Sequence, residues 1–127
     1  MDMYLLQWLC TILHIREKFG IEIVTEARGY AASSAAVILQ TGSRRTATKH
    51  TRILIHEVST FKFFSNEKAS DVAEEAEELQ KVNDMLIKIL SERTGHSEQE
   101  LKTLIHKKDV WFNAQEALNF NLIDAIV

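Results

Sequence analysis

The sequence predicts an α/β fold in a single domain spanning 1–127, and three observations carry that reading. An apolar strand-like run over 21–26, a helix-like run over 33–41 and a β-branched strand over 52–57 follow one another in the βαβ order of a parallel sheet. Residues 68–93 place Val72, Ala76, Leu79, Val82, Met85, Leu86, Ile89 and Leu90 at helical spacing, which predicts one long amphipathic helix. Between the first strand and its helix stands Gly29-Tyr-Ala-Ala-Ser-Ser34, a run of small residues suited to a tight junction.

The bulk properties fit a globular chain. Of 127 residues, 46% are hydrophobic and 26% charged, enough for a real core. A net charge of −3 argues against a general nucleic-acid binder. Arg44, Arg45, Lys49 and Arg52 read as a solvated loop between strands rather than a phosphate site.

Taken in order, residues 3–18 predict a buried amphipathic helix ending near Gly20, with Arg16 and Lys18 in its last turns. This apolar stretch is too short to span a bilayer, which takes about 20 residues. Asp2 stands where a signal peptide would be basic, and no Ala-x-Ala cleavage site follows. Cys10 is the single cysteine, so no internal disulfide forms; it is expected as a buried structural thiol, consistent with a reducing compartment.

Phe61 and Phe63 alternate around Lys62 within 58–66. This suggests an exposed or edge strand that is either core cover or a surface awaiting a partner subunit. Ser70-Asp71 reads as the N-cap region of the long helix and Gly95 as its stop. Ser97 and Glu100 have capping-box spacing, opening a short helix through about His106. Asn113 to Glu116 repeats that logic, and residues 122–127 look like a closing strand.

A serine at a strand-to-helix junction can present its hydroxyl near helix-terminal N–H groups, where a nucleophile attacking a carbonyl should stand. Such a serine needs a base and a group to orient that base. His56, ending a strand at the carboxyl edge of a parallel sheet, is the base candidate. Asp109, between Lys107-Lys108 and Val110-Trp111-Phe112, is the candidate orienting carboxylate. Taken singly, a strand-end histidine and an aspartate before an aromatic run also read as structural residues. No HExxH, zinc spacing or phosphate loop is present, so neither metal nor cofactor is expected.

These segments, in this order, resemble the Clp protease proteolytic subunit family, including the Clp-like peptidases of bacteriophages. Gly29-Tyr-Ala-Ala-Ser33 resembles its nucleophile motif, and Arg52-Ile-Leu-Ile-His56 its Arg-x-(Met/Leu)-Ile-His segment. Lys68-Ala-Ser-Asp71 resembles the start of its handle helix, and Thr94-Gly95 the end of that helix. Asp109-Val-Trp-Phe-Asn-Ala-Gln-Glu-Ala117 and Asn121-Leu-Ile-Asp124 are similar to its closing motifs.

The resemblance covers roughly residues 20–127 and implies a Clp/crotonase-like fold of stacked βαβ units. A long handle helix protrudes from it (handle region about 58–95), and the N-terminal strands are lacking. It implies a cytoplasmic serine endopeptidase working through an acyl-enzyme on peptides or unfolded proteins, in a homo-oligomeric ring that an AAA+ unfoldase can feed. No nucleic-acid or membrane partner is implied. Ser33 would be the nucleophile, His56 the general base, Asp109 its orienting carboxylate, and the backbone N–H of Ser34 an oxyanion donor. Nothing in the chain matches the family's upstream Ser-Pro-Gly-Gly turn, which supplies a second oxyanion donor, and Glu57-Val58 stands where the family usually has Gln-Pro. Two alternatives follow: a shortened Clp-like subunit with an assembly role and little activity, or a crotonase-like acyl-CoA enzyme.

Overall fold

In the computed structural model, which describes residues 3–57 and 69–127, two small three-stranded sheets share one βαβ path. Helix α1 (Met3–Phe19) leads into β1 (Val24–Ala27), β2 (Tyr30–Ala32), α2 (Ser34–Leu39), β3 (Arg44–Ala47) and β4 (Arg52–Ile55). The long helix α3 (Ala69–Thr94) and α4 (Glu98–Ile105) precede β5 (Val110–Asn113), α5 (Ala114–Asn119) and β6 (Ala125–Ile126).

Each limb of the βαβ unit changes sheet midway. Strands β1 and β3 pair in parallel in one sheet, with β6 parallel to β3, while β2 and β4 pair in parallel in the other. Gly29, at φ +74°, turns β1 into β2, a conformation glycine adopts without a Cβ penalty. The Thr51 hydroxyl ties the two crossing points together: it accepts from Gly29 N–H at 3.0 Å and donates to the Ala27 carbonyl at 3.0 Å.

The 43–51 segment, expected as a solvated basic loop, instead contains β3, and the Gly-Tyr-Ala-Ala junction contains β2. The reason lies in the partners. Arg45 is 2% exposed because its guanidinium meets Asp124, Gln40 and the Asn121 carbonyl. Strand β5 was not anticipated either, and it pairs antiparallel to β4, with Ile55 opposite Val110.

The core lies between the sheets and the C-terminal half of α3. Ile53, Ile55, Ile87, Leu101, Phe112 and Ile123 are among its buried members. Helix α1 reaches it only through a satellite cluster of Leu9, Val37 and Leu86. Two expectations are therefore corrected. The first helix is largely exposed, with Tyr4, Trp8 and Phe19 open to solvent, and Cys10 lies on its exposed side. The hydrophobic run is genuine, but the described residues cover only Leu5 and Leu9 of it.

Helix α3 is about 39 Å long at the usual rise per residue and behaves as a protruding handle. From Leu86 onward its apolar stripe is buried, whereas Val72 and Ala76 are exposed. It begins at Ala69, which puts Asp71 inside the first turn, where a carboxylate favours the helix dipole. Gly95, at φ +82°, stops it as expected, with its N–H bonded to the Ser91 carbonyl. Both predicted capping boxes form, Ser97 with Glu100 and Asn113 with Glu116. The aromatic run at 58–66 lies outside the described residues. No described helix is long and apolar enough to cross a membrane.

Candidate active site

The sequence candidates come to one edge of the β2–β4–β5 sheet. Ser33 follows the last residue of β2, His56 follows the last residue of β4, and Asp109 precedes the first residue of β5. Because β2 and β4 run parallel and β5 runs against them, these three chain positions fall at the same end of the sheet. The β4–β5 ladder closes on Ile55–Val110, and His56 and Asp109 are the next residues of the two chains beyond that last pair.

Ser33 is held in an unusual backbone conformation, φ 57° and ψ −111°. A non-glycine residue at positive φ is costly and persists only where its surroundings impose it. Here the Ser33 N–H is held by the Leu54 carbonyl at 3.0 Å, and its own carbonyl accepts from Val37 N–H at 3.3 Å. It occupies the N-cap position of α2 but makes no side-chain cap hydrogen bond, so its hydroxyl is not engaged in finishing the helix. Ser34, next in the chain, is the first residue of α2, where backbone N–H groups lack intrahelical partners.

Ser33 and His56 line one small cavity, floored by Val37, Ile55, Leu86 and Leu90, with Asn83 at its side. Its walls are apolar, which suits a nucleophile shielded from water. His56 is partly buried, and its Nδ1 lies 2.5 Å from the Glu57 carbonyl oxygen. A carbonyl only accepts, so the contact calls for the proton on Nδ1, and in that tautomer Nε2 is the acceptor. That is the tautomer a general base needs. Asp109 is exposed, and among the described residues no hydrogen bond or ion pair joins it to His56.

A second, larger cavity of about 490 Å³ adjoins the first through Asn83 and Ile105, which line both. Glu57, Gln80, Asn83, Lys102 and His106 contribute its polar groups. From the sequence, His106 has no setting comparable to that of His56, and Asn83 carries no signal within the long helix. His106 was legible in one respect, since it stands three residues before Asp109 in the same α4–β5 turn. Among the described residues no three His, Cys, Asp or Glu side chains gather as a metal site.

The chain has counterparts among known proteins. A family model described as Clp protease matches residues 10–127. The chain is 35% identical over 108 residues to the ATP-dependent Clp protease proteolytic subunit 2 of Prochlorococcus marinus subsp. pastoris, covering 84% of this chain and 52% of that protein. It is 34% identical over 108 residues to the subunit 2 of Frankia casuarinae, covering 84% and 48%. With the subunit 3 of Rhodococcus jostii it is 32% identical over 108 residues, covering 84% and 52%. The chain thus spans about half the length of the curated relatives it matches.

Proposed function

Since the chain belongs to the Clp protease family, we propose that it is a serine-type endopeptidase that cleaves peptide bonds through an acyl-enzyme on Ser33. The reading rests on one observation: Ser33, in its positive-φ junction, lines the same cavity as His56. His56 Nε2 takes the Ser33 proton as Oγ attacks the substrate carbonyl, then returns it to the leaving amine. Asp109, beyond the same end of the β4–β5 ladder as His56, is the carboxylate that stabilises the imidazolium formed in that step. The Ser34 N–H donates to the developing oxyanion.

The substrates are peptides or unfolded protein segments. The relatives are named ATP-dependent, and an AAA+ unfoldase partner and a cytoplasmic homo-oligomeric ring are proposed on that likeness. Labelling with a fluorophosphonate tests the reading: modification of Ser33, abolished in Ser33→Ala and in His56→Ala, is expected. A folded chain whose Ser33 does not react, where a full-length relative's serine does, overturns it.

The second reading, an assembly role with little activity, would use a different surface. Val72 and Ala76 leave an apolar stripe exposed on the protruding half of α3, as a subunit contact would. A ring-sized species by light scattering that neither labels nor cuts peptides supports that reading, whereas turnover abolished by Ser33→Ala rejects it.

A further inference from the structure

Two contacts run through one residue beside the base. The Glu57 carbonyl oxygen lies 2.5 Å from His56 Nδ1, and the Glu57 carboxylate Oε1 lies 3.3 Å from His106 Nδ1. We propose that His106 is a positioning residue for the base, anchoring Glu57 so that its carbonyl holds His56 in the Nδ1–H tautomer. The proposal deepens the peptidase reading and rests on it for its catalytic meaning.

The placement follows from the fold. Glu57 is the second residue past β4, where strand pairing no longer fixes the chain, so a side-chain contact can help to hold it. His106 caps the carboxyl end of α4, whose Leu101 and Ile105 are buried in the core, which fixes its backbone, while its ring reaches Glu57 from the exposed side. The carboxylate can only accept, which makes His106 Nδ1 the donor. Other charged groups around this cavity are accounted for: Lys102 is paired with Asp84 at 3.3 Å, and Lys107 and Lys108 stand in the turn that follows His106.

In consequence, His56 has one acceptor in contact, the Glu57 carbonyl, and a second group of a different kind, Asp109, stands at the same sheet edge. The Glu57 carbonyl is neutral and fixes ring orientation in the resting chain. The Asp109 carboxylate carries charge and serves the protonated ring. A carbonyl that swings away frees the imidazole to adopt the Nε2–H tautomer, in which Nε2 can no longer accept the serine proton.

The test is long-range ¹H–¹⁵N correlation of the histidine rings of the ¹⁵N-labelled chain near neutral pH. It is combined with the rate of Ser33 modification by a fluorophosphonate. The wild-type His56 ring should report Nδ1–H. In His106→Ala it should become a tautomer mixture, and Ser33 labelling should slow by about 10-fold, as small misplacements of catalytic groups do. His106→Gln, which keeps a donor, should restore both. A merely structural role for His106 would lower Tm without moving the His56 tautomer. An unchanged His56 tautomer in folded His106→Ala overturns the proposal, whatever the activity. A wild-type chain with the Nδ1–H tautomer but no Ser33 labelling counts against the peptidase reading and leaves the positioning role standing.

Discussion

Arg45 on β3 and Asp124 just ahead of β6 are 79 residues apart, yet they meet through two side-chain hydrogen bonds. Arg45 Nη2 donates to Oδ1 at 2.7 Å and Nε donates to Oδ2 at 3.1 Å. The Arg45 backbone N–H also donates to Oδ2 at 2.7 Å, and Nη1 reaches the Gln40 side chain and the Arg93 and Asn121 carbonyls. One buried cation thereby joins the C-terminal ends of α2 and α3 to the closing strand. Removing its carboxylate leaves a nearly buried guanidinium undercompensated, which is far costlier than losing a surface pair. Asp124→Ala is expected to lower unfolding free energy by about 3 kcal/mol in urea titrations.

The same pair sets an acid limit on stability. Hydrogen bonds from Arg45 hold the Asp124 carboxyl below the usual carboxylate range, against an opposing effect of partial burial. A lowered folded pKa means the contribution is complete above the unfolded value of about 3.9 and is lost as pH falls through the lower folded value. The urea midpoint should therefore fall below about pH 4, and part of that slope should vanish in Asp124→Asn.

Ser33 predicts an exchange of stability for chemistry. Its φ of 57° strains any residue with a Cβ. Ser33→Gly should raise stability by about 1 kcal/mol while eliminating fluorophosphonate labelling. A stability loss would mean that the Ser33 side chain contributes packing that outweighs the strain.

Asp109→Asn should slow Ser33 labelling by roughly 10²-fold, short of the ~10⁴ seen where the same change puts a catalytic histidine in the wrong tautomer. The difference is expected because the Glu57 carbonyl already holds His56 Nδ1. Labelling rates across pH 5 to 9 check this.

Ser97→Ala should cost about 1 kcal/mol. It removes the hydroxyl that accepts from Glu100 N–H at 3.1 Å and breaks a box whose other half is Glu100 Oε2 on Ser97 N–H at 2.9 Å. Because α4 carries His106, thermal melting and Ser33 labelling should decline together.

Sequence alone was enough for the βαβ order, the long handle helix, both capping boxes and the glycine stop at Gly95. Those features are set by contacts a few residues apart: an N-cap meets its N3 partner, and an apolar stripe repeats every turn. Tertiary structure decided what depends on distant neighbours. The basic 44–45 pair became a strand because Asp124, far along the chain, waits for Arg45. Cys10 was left exposed because the described core covers only one narrow line of α1. The antiparallel register of β5 brought Asp109 to the same end of the sheet as His56, and the α4–β5 turn set His106 against Glu57. Periodicity reports which face of an element is apolar. Which charges are buried, and which acceptor a histidine finds, is settled only when strands remote in sequence lie side by side.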